Sequence, residues 1–331
     1  VAAEATPVVL EVGQERAGID IQLQYVATAR IDGTVKGPDG RPVAGVSVRP
    51  VLNAAGAMPG DLILFAGAAS QVPSDAEGRF AVTGLTPGAY TLQARTMSFP
   101  GPGVPAQTVL WASSDVVVQG QDLTLDLTLA PAMTVRGRIT LDGTSPAPDF
   151  TKVRVVFVPA ASSAGAVSAG GTADADGAFT VPGVVPGKYR ISAGVPAGRK
   201  LTPAWVDKSA TVAGQNAADF PITIGAGQDG LEANVTLTDR IAELSGTMSD
   251  ASGRPASDYF IILCFADREF WAPMSRRILQ TRPAQDGKFT FKNLPPGDYL
   301  LAAVTEVEQG QWFDPAFLAQ LVDASAKVSL A

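Results

Sequence analysis

Few side chains in this sequence have the types and spacing that chemistry needs. Asp174-Ala175-Asp176-Gly177 sets two carboxylates in the spacing of a calcium loop. Calcium takes about six to eight oxygens, and the bidentate acid that should follow downstream is missing. The acids also vary between related places, from Asp75 with Glu77 to Asp286 alone, which points to a hairpin turn instead. Glu306 with Glu308, or Asp267 with Glu269, could be read as the carboxylate pair of a glycoside hydrolase. Acids two apart on a strand, however, share one face and turn it to solvent. Cys264 is the single cysteine and lies in the apolar run from Phe260 to Phe265, so a buried side chain is expected and no intramolecular disulfide can form. The chain has no histidine. That removes the commonest general base, every histidine-dependent triad and nearly all catalytic zinc sites. No nucleophile elbow, phosphate loop or dinucleotide fingerprint appears in context. Neither enzymatic activity nor a metal or cofactor is expected.

The residues best suited to binding lie between Asp267 and Arg282. Arg268, Phe270, Trp271, Arg276 and Arg277 combine the side chains that most often anchor interfaces, and a glycan or a protein would suit them. The plainer reading is an ion-pair cluster over one buried indole. Trp111, Trp205 and Trp312 recur at similar places along the chain, which favours packing over a binding platform. A formal net charge of -7 leaves no basic patch for nucleic acid or an anionic membrane. No apolar run approaches the length of a membrane span.

The elements that would position these residues are short strands. Of the 331 residues, 34 are glycine and 25 proline, while 46% are hydrophobic, too apolar for disorder and too rich in turns for a helical protein. Three bodies align. Each opens on a strand: Ala29 to Val35, Thr134 to Ile139 and Ala242 to Met248. Two continue into Gly-Arg-Pro turns, at Gly40-Arg41-Pro42 and Gly253-Arg254-Pro255. A second strand follows at Val46 to Val51, Val153 to Val158 and Tyr259 to Phe265. Then an acidic-Gly turn leads through Phe80, Phe179 or Phe289 to a Pro-Gly corner and Tyr90, Tyr189 or Tyr299. A tyrosine there is expected to turn its ring inward and bond its hydroxyl to the corner backbone. The third acidic turn reads as a shortened Gln285-Asp286-Gly287, and 160–171 reads as a mobile Ser/Gly/Ala loop. The best helix signal is Asp314-Pro315 ahead of Ala316 to Leu321, with Asp as cap and Pro in the first helical position.

This combination resembles the carboxypeptidase regulatory-like domain family, a transthyretin-like (prealbumin-like) seven-stranded β-sandwich. The resemblance rests on the Gly-x-Val, Gly-x-Ile and Gly-x-Met-type openings, the Asp-x-x-Gly-x-Phe turns of the first two bodies and the Pro-Gly-x-Tyr corner of all three. It implies an all-β chain of three tandem Ig-like/transthyretin-like sandwiches with an N-terminal extension strand. It also implies non-catalytic modules of the kind attached to secreted peptidases, outer-membrane proteins and surface arrays. The expected division is 1–28 for the extension, then sandwiches at 29–131, 132–239 and 240–331.

A Gly-Gln pair precedes an alternating apolar stretch three times, at Gly13, Gly120 and Gly227, at a constant interval of 107 residues. The stretches read as closing strands: Ile19 to Leu23, Leu123 to Leu129 and Leu231 to Leu237. The first has no body before it, and the third body reads as lacking its own. The expectation is therefore a head-to-tail homopolymer at a bacterial surface, exported, in which the N-terminal strand of one molecule completes the third sandwich of the next. Val8, Leu10, Val12, Ile19, Ile21 and Leu23 would form the donor, and Val328 and Leu330 the acceptor. The alternative is a carbohydrate- or protein-binding surface module cut from a longer tandem array.

Overall fold

A computed structural model describes residues 14–18, 25–53, 71–96, 108–160, 168–194, 205–228 and 230–330. Its strands fall into three successive groups built on one plan. In each, an opening strand (Ala29–Lys36, Met133–Asp142, Ala242–Thr247) pairs antiparallel with a Phe strand (Arg79–Leu85, Ala178–Val184, Lys288–Leu294). The facing sheet joins a second strand (Ser47–Leu52, Arg154–Pro159, Phe260–Phe265) to a Tyr strand (Gly88–Arg95, Gly187–Gly194, Gly297–Val304). Beyond the Tyr strand lies a flanking strand (Leu110–Val118, Ile222–Ile224, Ala326–Leu330).

The registers superimpose the groups. Gly33 faces Phe80, Gly137 faces Phe179 and Gly246 faces Phe289. Four residues along the Phe strand from each phenylalanine, at the same bulge, stand Gly84, Gly183 and Asn293, with φ of 76°, 76° and 58°. Asparagine is among the few non-glycine residues that enter this left-handed region readily, so the third group keeps the bulge without the glycine. The Pro-Gly corners are tied as expected: the hydroxyls of Tyr90, Tyr189 and Tyr299 donate to the carbonyls of Thr86, Val185 and Pro295 at 3.0, 2.8 and 2.7 Å.

The acidic turns consume their own carboxylates. Asp75 Oδ1 accepts the amides of Glu77 and Arg79, and Asp174 Oδ1 those of Asp176 and Ala178. The third turn is not shortened, contrary to its sequence appearance. Gly287 N donates to Ala284 O as Gly78 N does to Asp75 O, so Ala284 stands in the place of the aspartate. Two further expectations change. Within 160–171, residues 161–167 lie outside the described residues, but Ala169–Thr172 is a strand paired with Arg154–Pro159. The stretch from Leu123 to Leu129 forms two short strands, Leu123–Thr124 and Leu127–Thr128.

Alternation along the strands sends Ile31, Val35, Val48 and Leu92 into the first core, and Val135, Val155, Phe157 and Ile191 into the second. The third group has two clusters. Ile261, Leu263 and Tyr299 point between the sheets, whereas Ile262, Cys264 and Leu300 point outward beneath the helix Pro315–Leu321, which buries Leu318. Burial on both faces is why the run from Phe260 to Phe265 is continuously apolar rather than alternating. It also pushes the Cys264 thiol up to about 11, out of the reactive range. The helix starts where the sequence signals it, with Asp314 accepting the Ala316 amide at 2.9 Å.

Candidate functional site: an open sheet edge in the third body

In the second body a closing strand, Glu232–Thr238, lies parallel to the opening strand over seven residue pairs, from Arg136 with Glu232 to Asp142 with Thr238. Its other edge pairs antiparallel with Val206–Val212. In the first body the two short closing strands run parallel to Ala29–Lys36, with Ile31 opposite Leu123 and Val35 opposite Leu127. Leu125 N donates to Asp32 O at 2.8 Å and Leu129 N to Lys36 O at 2.7 Å. Asp126 adds a side-chain pin: its carboxylate accepts the Thr34 amide at 3.0 Å and Lys36 Nζ at 2.7 Å. The Lys36 hydrogen bond, then the Thr34 amide, hold its carboxyl below the usual range.

The closing strand explains the opening glycines. A Cβ at Gly33 would collide with the Leu125 carbonyl, and one at Gly137 with the Ala233 carbonyl. Only glycine lets two backbones approach so closely at this point. Inward side chains are correspondingly sealed. Ile31, Val35, Val135, Val235 and Leu237 are 0% exposed, and Leu127 and Leu129 are nearly so.

The third body has the same opening strand without that neighbour. Among the described residues, Ala242–Thr247 pairs with Lys288–Leu294 alone. The atoms nearest to a Cβ at Gly246 belong to the ring of Phe289, where at Gly33 and Gly137 the nearest is a backbone carbonyl. The inward residues are the same in kind but incompletely covered. Ala242, Leu244 and Met248, at the places of Ala29, Ile31 and Val35, are half-buried, and so is Phe289 where Phe80 and Phe179 are buried. The result is an apolar trough beside a strand with one unpaired edge, the arrangement that a sheet edge presents to an incoming strand.

Val328 and Leu330 lie on Ala326–Leu330, paired with Tyr299 and Gly297 of the Tyr strand. Leu330 occupies the place of Val118 and Ile224, which are 1% exposed, yet is itself half-buried against the inner cluster. It therefore lines the trough, whose unpaired backbone belongs to Ala242–Thr247 on the opposite sheet. Ala242 to Met248 and Phe289 are recognisable in the sequence as strand residues, but the open edge beside Leu244, Met248 and Phe289 is not, because strand neighbours are decided by tertiary structure. Val8, Leu10, Val12, Ile19, Ile21 and Leu23 lie outside the described residues.

The Arg/Trp loop forms a seam between the second and third bodies. Trp271 is 6% exposed and its indole Nε1 donates to Phe265 O at 2.7 Å. Arg268 covers its ring, so the loop offers no open indole face for a sugar to stack on. Phe270 meets Phe220 of the second body, ring centroids 5.0 Å apart. Arg277 lies over Phe265 and Phe270. Both Arg276 and Arg277 reach Asp219 of the second body, Nε to Oδ1, at 2.7 and 3.1 Å. Burial alone would raise the Asp219 carboxyl, but the hydrogen bonds and charges of the two guanidinium groups outweigh it and hold it at about 2. Asp207, 3.8 Å from Arg276, goes the other way, because burial outweighs that more distant charge. Asp219 and Arg190, which donates to Pro273 O at 2.8 Å, were missed in the sequence because their partners lie 57 to 83 residues away.

Among the described residues no cluster of His, Cys, Asp and Glu could hold a metal ion, and no helix is long and apolar enough to cross a membrane.

Among known proteins, a sequence search of curated entries found no match. Structural comparison returned the TIE protein of Bacillus anthracis at 14% identity and TM-score 0.21, with 84% of this chain aligned; the chain spans 45% of that protein's length. A streptococcal ancillary pilin matches at 9% identity and TM-score 0.24, covering 92% of this chain and 95% of the other. A minor pilin of Streptococcus agalactiae matches at 11% identity and TM-score 0.28, covering 63% and 95%. TM-scores this low carry no inference about this chain. The family comparison is more specific: residues 30–130 match the carboxypeptidase regulatory-like domain. They span the first body from opening strand to closing strand, and that body is similar to a carboxypeptidase regulatory-like domain over this whole stretch.

Proposed function

We propose that this chain is a non-enzymatic structural protein of the bacterial surface that polymerises head-to-tail by strand donation. In this reading 1–28 carries the donor, 29–131 and 132–239 are complete sandwiches, and 240–331 is the acceptor. One observation carries it. The third body repeats the inward residues of the other two but leaves them half-buried beside a strand that has one edge without a partner among the described residues. A parallel strand at that edge would cover Leu244, Met248, Phe289 and Leu330 together. Each large apolar side chain brought from water to full burial stabilises by about 1.5–3 kcal/mol, so half-buried ones retain part of that for the incoming strand. The donor candidate Ile19-Asp20-Ile21-Gln22-Leu23 has the alternation of Leu125-Asp126-Leu127-Thr128-Leu129. Donor and acceptor surfaces differ, so the contact does not close on itself and yields a filament.

Deletion of residues 1–25 tests the reading. The intact chain is expected to sediment as polymers and show filaments by negative-stain microscopy, and the truncated chain to sediment as monomer. A truncated chain that assembles unchanged overturns strand donation, and an edge filled by a strand of the same molecule would leave the intact chain monomeric.

A further inference from the structure

We propose that the donated strand enters in a single register, with Ile21 opposite Met248 and the Asp20 carboxylate accepting the Thr247 amide. The inference rests on the strand-donation reading above and adds what determines alignment and partner choice.

The first two bodies supply the template. Their closing strands place Leu127 opposite Val35 and Val235 opposite Ile139, each on the residue two beyond the opening glycine. In the third body that residue is Met248. The Gly-Gln spacing of 107 residues would instead put Asp20 at the place of Leu127, with its carboxylate facing Leu244, Met248 and Phe289. Because strand side chains alternate, a slip of one residue turns the whole apolar set outward. The chain already breaks this spacing once: Gly230 is inserted ahead of Leu231, so the stretch Leu231 to Leu237 lies 108 residues beyond Leu123 to Leu129. The alignment that keeps Ile19, Ile21 and Leu23 inward places Asp20 at the position of Asp126 and Asn234.

That position has work of its own in the first body. Asp126 accepts the Thr34 amide, and Thr34 follows Gly33 as Thr247 follows Gly246. An acceptor side chain at this point binds a backbone donor that the ladder leaves unused, in one register only. The third body has Ser249 where the first has Lys36, so Asp20 would be held by the amide without the lysine contact seen at Asp126. The donor's Ile19 would then carry its carbonyl over Gly246, as Leu125 does over Gly33.

The donor comes from a second copy because the tether is too short for its own molecule. From Leu23 to Ala29 the chain reaches at most about 20 Å. The second body stands between, joined to the first through Arg95 on Gly183 O and to the third through Asp219. A body of this size has a radius of gyration of about 13 Å and is broader than the tether is long.

The experiment uses the full chain carrying Cys264→Ala, mixed pairwise so that only intermolecular disulfides form. One partner carries Gln22→Cys; the other carries Thr247→Cys, Ser249→Cys or Asp250→Cys. Gln22 stands where Thr128 does, opposite the place of Lys36. The proposal expects the Ser249→Cys partner to crosslink several-fold faster than the other two. Equal rates at all three positions overturn the register while leaving strand donation intact; no crosslink at any position, in chains that still sediment as polymers, overturns strand donation itself. In the same assay Asp20→Ala is expected to reduce crosslinking about ten-fold, the scale of one charge-assisted hydrogen bond. Asp20→Asn, which keeps an acceptor oxygen in place of the carboxylate, should largely restore it. Undiminished crosslinking by Asp20→Ala removes the pin from the proposal.

Discussion

The second and third bodies share an opening strand, a bulge, a tyrosine corner and a facing sheet, yet among the described residues one is closed and the other open. In the second, Glu232–Thr238 covers Val135 and Ile139 and requires glycine at 137. In the third, the corresponding Leu244 and Met248 stay half-buried and the nearest neighbour of a Gly246 Cβ is a ring, not a backbone. The third body compensates elsewhere, with a second apolar cluster under the helix Pro315–Leu321 and a charged seam to its neighbour. It is thus held from outside its own sandwich, and a strand edge can remain open without the body losing its core.

The sharpest way to break this comparison is to substitute the glycines. Gly137→Val should cost more than about 3 kcal/mol, because the side chain meets the Ala233 backbone, which cannot yield. Gly246→Val should cost no more than about 1–2 kcal/mol in the unassembled chain, since the Phe289 ring can move aside, while abolishing assembly. Denaturant titration, with the transitions assigned by hydrogen exchange, measures both. Equal losses would mean that the two edges are not different. Next in size, Ile224→Ala should destabilise the second body by about 2–5 kcal/mol. Leu330→Ala, at the same place in the third body, should cost under about 1 kcal/mol until the strand is donated.

The seam comes third. The Asp219 carboxyl is depressed from 3.8 to about 2, so it contributes stability above about pH 4 that is lost as pH falls through 2. Its share is about 2 kcal/mol, and Asp219→Asn should remove that at neutral pH and make no difference near pH 2. Urea titrations of both proteins across this range read the difference, and a gap that persists at pH 2 would show that charge is not the cause. Smallest, Tyr189→Phe and Tyr299→Phe should each cost about 1 kcal/mol, the worth of one hydrogen bond. Equal values would show that the corner is independent of closure; a larger loss at Tyr299 would show that the open body leans on its corner.

Local features were legible before any coordinates. The tyrosine corners follow from Pro-Gly-x-Tyr, the acidic turns from Asp-x-x-Gly, and the helix from Asp-Pro, because each is decided by groups within about four residues of one another. The shortened third turn was misjudged because Ala284 lacks the carboxylate that marks the motif, although the backbone bonds it needs remain. The Arg/Trp loop was recognised as interaction-like, but nothing in its own residues could identify Asp219 and Phe220 as its partners. Those lie 50 to 58 residues earlier, in another body.

By itself, then, the order of residues determined strand identity, turn chemistry, the inward and outward faces and the threefold pattern, since alternation and turn preferences are local. Which strand neighbours which was decided only by tertiary structure. A closing strand is parallel to a partner some 90 residues away in sequence, so its own residues do not specify which edge it joins. Local propensity makes the strand; the burial of its inward side chains chooses where it goes.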